Sequence, residues 1–152
     1  MDKLNTYLKG KGIFVFSDPG GAKPVLALVK SLTDQVTYKL ISDREYSFIK
    51  DFGLEVQKPS ATPEQCIEDF APDFIFTGTS YTSKIELTFI AAGKARNIPT
   101  YAFVDHWTNI RERFDNNGVE VLPDKICLID DRAKDIALKQ GIEEKRILIT
   151  GN

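Results

Sequence analysis

Short runs of apolar, β-branched and aromatic residues recur along the chain, separated by longer amphipathic stretches. That alternation is what a parallel sheet with crossover helices requires, because parallel strands cannot be joined by tight turns and are covered on both faces. The runs fall at residues 12–16, 38–41, 54–56, 74–78 ("FIFTG"), 98–105 ("IPTYAFVD"), 125–130 ("KICLID") and 146–150 ("RILIT"). They predict an α/β fold with a mainly parallel sheet of about seven strands and helices on both faces, wound in both directions from one point in the strand order. The helices are marked as well. One runs through "KPVLALVKSL" with Pro24 in its first turn, and a short one over 45–52 is stopped by Gly53. Thr62 with Gln65 and Ser83 with Glu86 read as two capping boxes, and a last helix ends at Gly141.

At 152 residues and 42% hydrophobic, the chain suits one domain with a continuous core. Lys and Arg number 20 against 22 for Asp and Glu, a net charge of −2. There is thus no general electrostatic drive toward nucleic acid or anionic membranes, and any phosphate binding must be local. The opening "MDKLNTYLKGKG" has no apolar run suited to export or membrane insertion. Cys66 and Cys127 read as two core thiols in a reducing compartment, so a soluble cytoplasmic protein is expected. One histidine and two distant cysteines do not make a metal site. No G-x-S-x-G elbow is present, which argues against a Ser-His-Asp hydrolase. Neither metal nor organic cofactor is expected.

In doubly wound folds the site is built from loops that follow the strands, and three such loops are chemically unusual. "SDPGGAK" places Asp18, Gly20, Gly21 and Lys23 at a helix start, suited either to an anion or simply to a sterically demanding turn. "GTSYTS" offers Thr79, Ser80 and Thr82 for hydrogen bonds to a sugar or phosphate, although hydroxyl residues also favour helix starts for structural reasons. "DHWTNIRER" holds the only histidine, His106, and the only tryptophan, Trp107, with Asp105, Asn109, Arg111 and Arg113. The bland reading is a buried aromatic corner with rim charges. The functional reading makes Asp105 or His106 a general base and the two arginines anion binders, since imidazole titrates near neutrality and guanidinium matches phosphate oxygens.

Taken together, "KPVLALVKSL" after a Gly-rich turn, "PDFIFTGTSYTSKIELTFIAAGKARNIPTYAFVDH" and the closing "ILITGN" resemble the amino-terminal half of the GT-B superfamily. That superfamily includes UDP-N-acetylglucosamine 2-epimerases and many nucleotide-sugar glycosyltransferases. The resemblance implies a Rossmann-like, acceptor-side domain over residues 1–152, with the donor-binding second domain absent. It implies a nucleotide-sugar donor and a glycan or lipid-linked acceptor in cell-surface polysaccharide synthesis, for which Asp105 and His106 are the catalytic candidates that the third loop offers. The chain alone is expected to fold, to be nearly inactive, and to self-associate through an exposed patch around Trp107. The 2-epimerases carry Arg-Pro-Glu in the first loop, an acidic residue after the glycine of the next, and His-Val-Glu-Ala-Gly after the following strand. Here stand Asp18-Pro19-Gly20, Gly78-Thr79 and Asp105-His106-Trp107, which weigh against epimerase chemistry and are compatible with glycosyl transfer. Two alternatives stay open: a non-catalytic module binding a nucleotide, a sugar phosphate or a partner, and half of a nucleotide-sugar epimerase or hydrolase.

Overall fold

The computed structural model describes residues 2–151. In chain order the elements are β1 (Gly10–Phe16), α1 (Pro19–Leu32), β2 (Val36–Ser42), α2 (Pro63–Phe70), β3 (Phe74–Thr77), α3 (Ile85–Ala95) and β4 (Thr100–Val104). They continue with β5 (Asp115–Asn116), β6 (Val119–Glu120), β7 (Lys125–Leu128), α4 (Asp131–Lys139) and β8 (Ile147–Ile149). Six strands form one parallel sheet in the order β2-β1-β3-β4-β7-β8, while β5 and β6 form a small antiparallel hairpin outside it.

The core follows from strand alternation. Phe14, Phe16, Phe74, Phe76, Tyr101 and Phe103 point to the face covered by α1, and Ile13, Val15 and Ile75 point to the face covered by α2 and α3. Farther along, Ala102, Val104, Ile126 and Leu128 pack with Leu87, Ile90, Ala133 and Ala137 of α3 and α4. Layers on both faces explain why β3 and β4 are buried at every position. Cys66 lies buried in α2 and Cys127 in β7, both as free thiols. Burial pushes the Cys127 thiol up to about 12, as expected of an inert core thiol. Among the described residues, no helix is long and apolar enough to cross a membrane.

Several expectations are corrected. The sheet has six strands rather than seven, because residues 54–56 do not form one: Gln57 alone bridges Ile41, and Pro59, which lacks a donor, follows two residues later. Ser47–Phe52 is a 3-10 helix, though Gly53 stops it as anticipated with φ 64°. Helix α1 starts at Pro19, so Pro24 lies inside it; the carbonyl it leaves without a helical donor is that of exposed Gly20, which water can satisfy.

Both capping boxes are incomplete. Thr62 Oγ1 accepts from the Gln65 N–H at 3.1 Å, yet the Gln65 side chain turns forward to Asp69. At α3 the N-cap is Lys84, and Glu86 points inward, 2% exposed, instead of back to Ser83.

The chain connects β1 to β2 on one side and then crosses over to β3 on the other, so the strand order switches between β1 and β3. The loops leaving those two strands diverge there, which makes their carboxyl ends the natural place for a site.

Candidate functional site

At the switch point the first two loops are clasped by one carboxylate. Asp18 stands just before α1 and its N–H donates to Ser80 Oγ at 2.9 Å. Its side chain accepts from the Tyr81 N–H and from Thr82 Oγ1, each at 2.8 Å. Below this clasp the backbones touch: a Cβ on Gly21 would meet Gly78 Cα at 3.2 Å, and one on Gly78 would meet Gly21 Cα at 2.9 Å. Close approach thus demands glycine at position 78 and leaves little room for a side chain at position 21.

The third loop joins through Arg113. Its side chain, buried to 6% exposure, reaches Asp105 Oδ1 at 3.5 Å and Thr79 Oγ1 at 3.4 Å, while its guanidinium lies 4.7 Å from the centre of the Tyr81 ring. Thr79 in turn donates to the Phe103 carbonyl at 3.2 Å. Asn109, in the left-handed region at φ 51°, donates to the Tyr81 hydroxyl at 3.3 Å. Asp105 keeps 27% of its side chain exposed and packs its Oδ2 against Gly20, at the positive end of α1. It also lines a cleft of about 640 Å³ with Pro19, Gly20, Lys23, Pro24 and Phe52. Lys23 itself is exposed, its Nζ 5.1 Å from the Phe48 ring centre.

His106 is exposed beside this group. Its Nδ1 accepts from the Thr108 N–H at 3.3 Å and lies 3.0 Å from Thr108 Oγ1. In the neutral ring that contact assigns the proton to Nε2. Trp107 is half-buried: its indole N–H donates to both Asp130 oxygens at 3.1 Å, and the Arg132 guanidinium sits over its ring at 4.7 Å. Asp130 also caps α4 through the Ala133 N–H, so Trp107 anchors the loop to that helix. The exposed aromatic on the three-loop junction is Tyr81, at 53%, rather than Trp107, which corrects the expected Trp107 patch.

Most of the anticipated residues therefore meet: Asp18, Gly20, Gly21, Thr79, Ser80, Thr82, Asp105, Asn109 and Arg113 belong to one network, with His106 next to it. Arg111 turns elsewhere. It forms a two-point ion pair with Glu120 of the hairpin and donates to the Gln140 carbonyl at 2.8 Å, and none of these partners belongs to the junction.

Sequence reasoning missed Tyr81, Asp43, Arg44 and Glu86. Arg44 donates to Thr82 Oγ1 at 3.2 Å and Asp43 accepts from Ser83 Oγ at 2.6 Å, which carries the network to the end of β2. Only Glu86 left a trace in the sequence, as the one acidic residue in the apolar run "IELTFIAAG".

No family model matches the chain, and no curated protein matches it. Solved structures do. MnaA of S. aureus, determined with UDP, superposes with TM-score 0.73 at 18% identity, covering 95% of this chain and 44% of that one. The UDP-GlcNAc 2-epimerase of Methanocaldococcus jannaschii in complex with UDP-GlcNAc and UDP gives 0.69 at 15%, with 93% and 46% covered. The Neisseria meningitidis UDP-GlcNAc 2-epimerase bound to UDP-GlcNAc gives 0.67 at 15%, with 93% and 46% covered. The chain spans less than half the length of these structures. It has the Rossmann-like α/β fold found in part of these UDP-GlcNAc 2-epimerase structures.

Proposed function

We propose that this chain is one half of a nucleotide-sugar enzyme of two-domain GT-B architecture, and that its switch-point junction holds the group that reacts. The observation that carries the reading is the network Asp18–Thr82, Thr79–Arg113–Asp105, which joins three post-strand loops and leaves one carboxylate partly open to a cleft. Asp105 is the general base. His106, with Nδ1 occupied by Thr108, presents an Nε2–H and acts as a donor to an oxygen of the substrate. Arg113 pairs with Asp105 at 3.5 Å and adds positive charge for a phosphate or developing alkoxide.

On this reading the reaction is transfer of a sugar from an activated nucleotide to a hydroxyl acceptor, with Asp105 taking the hydroxyl proton. Half of a UDP-GlcNAc 2-epimerase is the second reading, favoured by the structures that superpose on the chain. It is opposed by Thr79, which stands where the resemblance leads one to expect an acidic residue, and by Asp105-His106-Trp107 in place of the expected His-Val-Glu-Ala-Gly run. Product analysis separates the two. The chain joined to a second, donor-binding α/β domain is incubated with UDP-GlcNAc, with and without hydroxyl acceptors. Transfer releases UDP only when an acceptor is present, whereas epimerisation inverts the sugar's C2 with no acceptor and no release. Inversion alone would replace the first reading with the second.

A further inference from the structure

We propose that Glu86 is a positioning residue of the switch-point site: lodged as an uncharged acid beneath the Gly21–Gly78 crossing, it lets the Asp18 clasp hold Ser80, Tyr81 and Thr82 in one arrangement. This assignment rests on reading the junction as the nucleotide-sugar site. Glu86 sits in the first turn of α3, is 2% exposed, and neither carboxylate oxygen makes a hydrogen bond of good geometry among the described residues, although the Ser80 hydroxyl lies near enough to favour its charged form. A Cβ on Gly78 would stand 2.9 Å from its Oε2, so the carboxyl lies directly against the loop that carries the hydroxyl residues.

Its surroundings disfavour a charge. Ser17 and Thr77 are buried with unpartnered hydroxyls, and strand alternation from Ile13, Val15 and Ile75 puts both on the face that α3 covers. Three of the four residues with orphaned buried polar atoms among those described thus gather at this end of β1 and β3. Hydroxyls that both donate and accept suit a neutral carboxylic acid, which also does both, better than an acceptor-only carboxylate. The titratable and charged groups around Glu86 are Asp18 after β1, Asp43 and Tyr46 after β2, and Arg113 after β4. Two carboxylates oppose its ionisation, while Arg113 and the nearby Ser80 hydroxyl favour it. Burial outweighs both and pushes the Glu86 carboxyl up to about 8. A second buried negative charge would repel Asp18, which the loop residues need as an acceptor.

The test pairs two readouts on the wild-type chain and on Glu86→Gln, which keeps the shape and cannot ionise. First, amide NMR spectra are followed from about pH 6 to about pH 10. The Ser80, Tyr81 and Thr82 resonances should shift together with a midpoint near the Glu86 value in the wild type and stay flat in Glu86→Gln. Second, UDP-GlcNAc affinity is measured at both ends of that range. It should fall several-fold at high pH in the wild type and hold in the variant. A loop transition that persists in Glu86→Gln, or none in the wild type, overturns the proposal whatever UDP-GlcNAc does. A loop transition abolished by the variant, with no pH effect on measurable UDP-GlcNAc affinity, overturns the role of Glu86 in the site. The same transition with no UDP-GlcNAc binding at any pH supports Glu86 as the group that positions the loop and counts against the nucleotide-sugar reading instead. Glu86→Asp serves as a second variant. It retains an ionisable group, so its loop transition should remain if Glu86→Gln is unfolded.

Discussion

Single residues set the chemistry at the junction, and two of them make separable predictions. Glu86 is held well above the ordinary carboxyl value of 4.5 in the folded chain, so the fold binds a proton that the unfolded chain has released. The favourable contribution is complete below about pH 4.5 and is lost as pH rises through about 8. Chemical denaturation across that window should therefore show wild-type stability falling relative to Glu86→Gln, by on the order of a few kcal/mol in total. Parallel curves for the two proteins would mean that Glu86 is ionised in the fold. Asp105 and His106 are read as base and donor. In the two-domain enzyme Asp105→Asn and His106→Ala should each lower kcat by roughly two orders of magnitude, with the far-ultraviolet circular dichroism unchanged. Arg113 faces Asp105 and Arg111 faces Glu120. Titration with UDP-GlcNAc should thus find weaker binding for Arg113→Ala and unchanged binding for Arg111→Ala.

At the scale of elements, what the sequence reveals and what it hides have different physical sources. Strands β1, β3, β4 and β7 are legible because burial on two faces demands continuous apolar runs, and the half-buried edge strand β8 because Ile147, Leu148 and Ile149 are an unbroken apolar run. The stops at Gly53 and Gly141 are legible because φ of 64° and 89° favours glycine. The third predicted strand fails because its two apolar residues, Leu54 and Val56, can pack on the core without pairing. The second capping box fails because Glu86 is drawn inward, a choice made by tertiary surroundings rather than by spacing. The joining of three loops is illegible for the same reason. Asp18 and Tyr81 are 63 residues apart, and only the crossover between β2 and β3 brings them together. The hydroxyl residues of "GTSYTS" were open to a structural reading, and that reading is partly correct, since Ser80, Thr82 and the Tyr81 N–H serve the Asp18 clasp. The crossing itself is tested by Gly78→Ala, whose added carbon would stand 2.9 Å from Gly21 Cα. Backbone must move to admit it. Thermal unfolding should register a loss of on the order of 1–3 kcal/mol, and a variant as stable as the wild type would mean that the two loops are not locked by this contact.

Across the whole molecule, the six-stranded sheet acts as a platform whose one end, the carboxyl ends of β1, β3 and β4, carries the three loops of the junction. The proposed enzyme needs a second domain to face that end, exclude water and hold the donor, and the chain alone should turn over little substrate. Its binding surface is nonetheless complete enough to be mapped. Backbone amide shifts recorded while UDP-GlcNAc is added to the chain would show whether the three loops bind it as one surface. Perturbations are expected together at residues 18–23, 78–83 and 105–110 and at Arg113, the three loops of the junction. Perturbations confined to the separate cleft lined by Ser42, Arg44, Tyr46 and Lys50, or to Glu120 and the β5–β6 hairpin, or the absence of any at saturating nucleotide sugar, would contradict this reading.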